Sequence, residues 1–224
     1  MEVEWYGQSA FRLAADGTTV FIDPFGDLSG LEERGVRFEY PAIGGVEADL
    51  VLVTHEHPDH AGVEAIGGSP EVLRSTAGRL ESPVGEVVAV ASEHDANAGT
   101  ERGPNTIFVF DLGGVRICHF GDFGQRALRP EQREAIGEVD LLFLPVGGGP
   151  TMGPELAAEV AGELAPRWVV PMHYRTRRVG FLEPVDGFLE RMGEVLRVEG
   201  VIFDTEGLGA AEDGGPLAVV PLAP

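Results

Sequence analysis

Residues 50–60 read Leu50-Val51-Leu52-Val53-Thr54-His55-Glu56-His57-Pro58-Asp59-His60. Leu50–Thr54 is a short, unbroken apolar and β-branched run, the pattern of a strand buried on both faces. His55 and His57 stand two apart, so an extended backbone sends both imidazoles to the same side. Pro58 has no amide N–H for a ladder, and a central strand cannot simply run on through it. Asp59 and His60 then fall on the turn entering the next element, expected to be a short helix over 61–66. Four metal-capable groups therefore converge within six residues at a strand end. Without a cation, neutral imidazoles crowded there would lose hydrogen-bond partners on burial, and protonated ones would repel each other. Imidazole combined with carboxylate suits zinc, manganese or iron better than calcium.

Outward from this stretch, short strands dominate. Val3–Tyr6, Phe11–Ala14 and Thr19–Asp23 precede it, the last two separated by an Asp16–Gly17 turn, and Val72–Ser75 and Val87–Val90 follow. Thr106–Asp111 and Val115–Phe120 flank Gly113–Gly114, a hairpin signal. Helices are expected over Pro130–Gly137, Pro154–Leu164 and Val185–Met192, and further strands over Leu141–Pro145, Trp168–Pro171, Val195–Val198 and Val201–Phe203. The simplest packing sets two sheets face to face with helices on the outer faces. The histidine and aspartate clusters fall at strand ends, where sites in layered α/β proteins gather.

With 224 residues, no repeat and no long linker, the chain is expected to form a single domain over 1–224. The 37 acidic against 16 basic residues give a net charge of −21, a field that repels nucleic acid and anionic lipid. The acidic N-terminus lacks the basic and apolar regions of a signal peptide, and no stretch reaches bilayer-spanning length. A cytoplasmic protein acting on a small molecule is expected, without nucleic-acid or membrane partners and with homo-oligomerisation left open. Cys118 stands alone, so any metal site must use imidazole and carboxylate.

The HxHxDH run resembles the signature of the metallo-β-lactamase superfamily, and the resemblance extends along most of the chain. Phe21-Ile22-Asp23-Pro24 is similar to its first motif, His94 to its third-motif histidine, Asp122 in His-Phe-Gly-Asp to its bridging aspartate, and His173 in Pro-Met-His-Tyr to its fifth-motif histidine. Trp5–Phe11 (WYGQSAF), Asn105–Phe110 (NTIFVF) and Arg116–Asp122 (RICHFGD) resemble more specifically the ascorbate-6-phosphate lactonase-like branch. The resemblance implies an α+β (αββα) fold of two mixed β-sheets and a dinuclear site. One divalent ion, zinc first and manganese or iron next, would take His55, His57 and His94. The other would take Asp59, His60 and His173, with Asp122 bridging. Five of the six histidines are then used.

Each remaining candidate also has a structural reading. His94 follows a strand and competes with Asp95, but carboxylates beside metal histidines more often orient them from outside. Asp122 follows a strand and a glycine, and turn chemistry alone explains many such pairs. His119, inside a strand, is expected to be a core or supporting histidine, with substrate contact as the alternative. Asp23 either supports a ligand histidine or the Asp59 loop, or is a plain Asp-Pro turn. Arg175, Arg177 and Arg178 follow His173, and Arg175 is the candidate grip for an anionic substrate group. Gly147–Gly149 reads as a mobile or closely packed site loop, and Cys118 as core.

The expected reaction is hydrolysis of an ester-like, lactone, amide or phosphoester bond by a hydroxide bridging the two ions, with Asp59 orienting it and shuttling a proton. The alternatives are an iron-dependent oxidoreductase similar to persulfide dioxygenases, a nuclease, which the charge disfavours, and a non-enzymatic binding module.

Overall fold

The computed structural model describes residues 1–28, 30 and 37–224. A six-stranded sheet has the order β13-β1-β2-β3-β4-β5, built from β1 (Glu2–Gly7), β2 (Ala10–Ala15), β3 (Thr18–Ile22), β4 (Val46–Val53), β5 (Ile66–Arg74) and β13 (Ile202–Asp204). An eight-stranded sheet has the order β12-β14-β11-β10-β9-β8-β7-β6. Its strands are β6 (Gly78–Ser82), β7 (Gly85–Glu93), β8 (Pro104–Leu112), β9 (Val115–His119), β10 (Leu141–Pro145), β11 (Trp168–Met172), β12 (Glu194–Arg197) and β14 (Leu217–Val220). Both sheets mix parallel and antiparallel pairs, and the fold is of the expected α+β type.

Side-chain alternation places the core. In β4, Leu50 and Leu52 join the large core between the sheets, with Phe11, Leu13, Phe108, Phe110 and Phe143. Val51 and Val53 face the other way, into a second cluster with Phe21, Phe25, Phe38 and Tyr40. A one-residue slip would exchange these two sets, so burial on both faces fixes the register. Behind the six-stranded sheet, this second cluster also takes in loop side chains such as Ile43 and Leu182.

On the eight-stranded sheet the helices are α1 (Pro130–Ile136) and α2 (Pro154–Leu164). In α2, the buried Ala157, Val160, Ala161 and Leu164 form one helical stripe. α2 crosses between the parallel neighbours β10 and β11.

Two helical expectations fail. Over 61–66 only one 3-10 turn forms, at Val63–Ala65, because Ile66 already pairs with Val46 as β5 begins. The expected helix over 185–192 shrinks to one turn, α3 (Asp186–Leu189); Gly187 lies inside it and Gly193 follows, and glycine is a poor helix former. Strands β6 and β14 were not anticipated. β6 is exposed or half-buried throughout, without apolar alternation, while β14 is a four-residue apolar run recognisable only from its partners β11 and β12.

The topology gathers several strand ends at one rim. β3 and β4 are parallel, as are β9, β10 and β11, and β7 runs the same way as β9 across the antiparallel β8. The residues after these strands are Asp23, His55, His94, Asp122, Gly147 and His173. At this rim the Thr106 amide donates to the Thr54 carbonyl at 2.9 Å, tying the two sheets together.

Candidate metal centre

The side chains following these strands meet. Nε2 of His94, His173 and His60 lies 3.1, 3.2 and 3.3 Å from Asp122 Oδ2, and Nε2 of His55 lies 3.9 Å from it. His57 Nδ1 is 3.1 Å from His55 Nε2, and Asp59 Oδ2 is 3.6 Å from His60 Nε2. Three groups hold ligand atoms all within 4.8 Å of one another: His55–His57–His94, His55–His60–Asp122 and Asp59–His60–His173. The seven residues expected to bind metal are thus together, with Asp122 between the two outer groups. His57 and Asp59 are half-buried and the other five are buried.

The outer nitrogens show which tautomer each imidazole holds. Asp23 accepts from the Thr54 amide at 2.8 Å and from the Thr54 hydroxyl at 2.7 Å. That hydroxyl, its proton committed, accepts from His55 Nδ1 at 3.0 Å. His60 Nδ1 donates to Asp23 at 2.9 Å, and His94 Nδ1 to the Pro150 carbonyl at 3.1 Å. In all three rings Nδ1 carries a proton and Nε2 faces the cluster, the arrangement by which partners outside a metal site orient its histidines. His60 Nε2 is buried without a hydrogen-bond partner. Asp23, which accepts from both Thr54 and His60, is held at φ 48°, a left-handed conformation uncommon outside glycine.

Asp122 is placed by close approach. Its amide donates to Asn105 Oδ1 at 3.0 Å, and Asn105 Nδ2 is itself anchored on Ser92 Oγ and the Phe120 carbonyl. A Cβ on Gly121 would lie 2.4 Å from Asn105 Oδ1 and 2.6 Å from Thr54 Cβ, so the residue before Asp122 must be glycine. Gly147 is similar: its Cβ would lie 2.1 Å from the His173 carbonyl oxygen. The Gly147–Gly149 loop is closely packed at this point.

The charges follow from burial and neighbours. Burial, followed by the proximity of His60, holds the His55 imidazole far below the ordinary histidine range, and burial with His94 lowers His57. Burial alone would depress His60 too, but Asp122, Asp59 and Asp23 raise it well above the usual range. Burial opposes ionisation of Asp122, yet His173 and His60 hold it well below the carboxylate range.

The other candidates separate by geometry. Asp95, the rival of His94, accepts from the amides of Asn97, Gly99, Glu101 and Arg102 at 2.8–3.0 Å and organises its own loop. His119 is fully buried. Its Nδ1 accepts from the Gly121 amide at 3.1 Å, so Nε2 carries the proton and donates to the Ser9 carbonyl at 3.0 Å. Both nitrogens are committed to backbone partners. Arg175 is exposed and donates from Nε to the Leu182 carbonyl at 2.6 Å. Arg178 ties the Pro224 and Glu39 carbonyls. Cys118 is buried. Sequence reasoning assigned no role to Thr54, Asn105 or Ser9, whose hydroxyl reaches Asp122 Oδ1 at 3.4 Å. Only the shared rim reveals them.

Residues 2–173 match the model of the Beta-lactamase superfamily domain. A metal-dependent hydrolase of the UPF0173 family from Thermococcus kodakarensis is 33% identical over 79% of this chain and 85% of its own length. Its counterpart from Thermus thermophilus is also 33% identical, over 89% of this chain and 100% of its own. A solved structure from Thermotoga maritima is 31% identical and superposes with a TM-score of 0.76 over 99% of both chains. The diiron β-hydroxylase CmlA from Streptomyces venezuelae shares the fold, at 18% identity and a TM-score of 0.53 over 77% of this chain and 44% of its own. By its fold, the order of its motifs and these relatives, the chain belongs to the metallo-β-lactamase superfamily.

Proposed function

We propose that the protein is a metal-dependent hydrolase that holds two divalent cations, zinc in the first instance, and acts on a small molecule. The observation that carries this is the two outer ligand groups linked by the group His55–His60–Asp122, with imidazole Nε2 atoms turned inward. The donor set fits such ions: five imidazoles and two carboxylates, no thiolate, and a buried orphan at His60 Nε2. The relatives named metal-dependent hydrolases support the reading, and the Thermotoga maritima protein carries the name of a zinc-dependent hydrolase.

Two cations held there would supply Lewis acidity to a substrate oxygen and activate water near neutral pH. The chain's own residues do the rest. Asp23 and Thr54 fix the His60 and His55 rings. Asp122 takes its place between the two groups. Asp59, the half-buried carboxylate of the set, would orient the water, accept its proton on the carboxylate and pass it to the leaving group. The bond is ester-like, lactone, amide or phosphoester. The net charge of −21 weighs against nucleic-acid substrates.

The test is metal quantification followed by a screen of lactones, thioesters and phosphoesters with and without chelator. Turnover lost on chelation and restored by zinc is expected. Oxygen consumption by an iron-loaded protein, without hydrolysis, would instead identify the oxidoreductase.

A further inference from the structure

Of the four histidines whose Nε2 faces Asp122, three have a partner for Nδ1: Thr54, Asp23 and the Pro150 carbonyl. His173 is the exception, its Nδ1 buried without a hydrogen-bond partner. A second orphan lies beside it. Gln8 is 0% exposed, and neither its Oε1 nor its Nε2 has a partner. The two residues are joined through the backbone, the His173 amide donating to the Gln8 carbonyl at 3.3 Å, and the Trp5 indole donates to the same carbonyl at 3.0 Å.

Both residues are also held in the left-handed region, Gln8 at φ 48° and His173 at φ 51°. A side chain with free choice of backbone avoids that region, and such conformations persist where the surroundings over-determine them. The register shift between Trp5 and Gly7, where β1 and β2 turn, brings Gln8 here. Its neighbour Ser9 already touches the centre, through its hydroxyl to Asp122 and its carbonyl to His119. A buried primary amide with no partner is costly, and so is a buried ring N–H. A Gln8 amide oxygen turned to His173 Nδ1 would give each residue a partner, because an amide oxygen accepts what a Nδ1–H donates.

We infer that Gln8 is a positioning residue for the metal site: its amide oxygen accepts from His173 Nδ1 and turns the His173 Nε2 lone pair toward the cation shared with Asp59 and His60. This rests on the metal-dependent reading above. The role matches that of Asp23 toward His60 and of Thr54 toward His55, and it completes the set.

The test uses full-length Gln8→Leu and Gln8→Glu. Leucine keeps the bulk and removes both polar atoms; glutamate keeps an acceptor. Zinc affinity is measured by competition with a chromophoric chelator, and thermal midpoints are read with and without metal. Gln8→Leu should weaken one of the two zinc sites by about 10–100-fold. It should leave the metal-free midpoint unchanged or raised, because a partnerless buried amide has gone. Gln8→Glu should restore zinc affinity to within a few fold of wild type. If Gln8→Leu binds both ions as wild type does, or lowers the metal-free and metal-loaded midpoints equally, the inference is overturned while the hydrolase reading stands. A wild-type protein that binds no metal overturns both.

Discussion

Asp23 shows how one residue outside the ligand set governs several within it. Its two oxygens accept from the Thr54 amide, the Thr54 hydroxyl and His60 Nδ1. Asn at this position keeps one acceptor and replaces the other with a donor, which cannot receive a proton from Thr54 or His60. Asp23→Asn should therefore lower metal affinity by about 10–100-fold, measured by chelator competition, with the fold retained by circular dichroism. A second outcome concerns pH. His60 is raised above the usual histidine range by Asp122, Asp59 and Asp23 despite burial, so it carries a proton that an arriving cation must displace. Metal uptake should release protons, and affinity should fall as pH falls. Calorimetric titration in buffers of different ionisation enthalpy reads the proton count directly; zero release would contradict the charge assignment. The residues legible in the sequence at this scale were those whose meaning is local. His55, His57, Asp59 and His60 declare themselves by spacing alone. Gln8 does not, because its neighbours lie near the far end of the matched region and only the backbone contact with His173 gives it a role.

Strands were more legible than helices, for a physical reason. The run Leu50–Val53 is buried on both faces, so its hydrophobicity is visible without knowing its partners. The segment 61–66 sets helix-favouring Ala61, Glu64 and Ala65 among Gly62, Val63 and Ile66, and pairing of Ile66 with Val46 leaves space for only one 3-10 turn. Tertiary pairing outweighed local propensity, the usual outcome for a short segment. β14 was missed because a four-residue run becomes a strand only between β11 and β12. The glycine loop after β10 offers a test at this scale. A methyl on Gly147 would meet the His173 carbonyl oxygen at 2.1 Å, and that atom belongs to backbone. Gly147→Ala should destabilise the metal-free protein by about 1–3 kcal/mol, seen as a lower denaturation midpoint in urea. It should also weaken metal binding by shifting His173. An unchanged midpoint would mean that the β10 and β11 ends yield more readily than their packing implies.

Across the whole molecule, the fold places one rim of two sheets under a common demand. Strands β3, β4, β7, β9, β10 and β11 all deliver their following residues there, and the Thr106–Thr54 hydrogen bond joins the sheets at that edge. Among the described residues no helix is long and apolar enough to cross a membrane. The ligand groups draw on both sheets, His55, His57, Asp59 and His60 from one and His94, Asp122 and His173 from the other. Cations bound there would link the two layers. The central claim is that this rim holds two ions, and anomalous diffraction from crystals grown with zinc tests it most directly. Two peaks are predicted, one among His55, His57 and His94 and one among Asp59, His60 and His173, both beside Asp122. A map without peaks at the rim, or with zinc bound only elsewhere, would contradict the account.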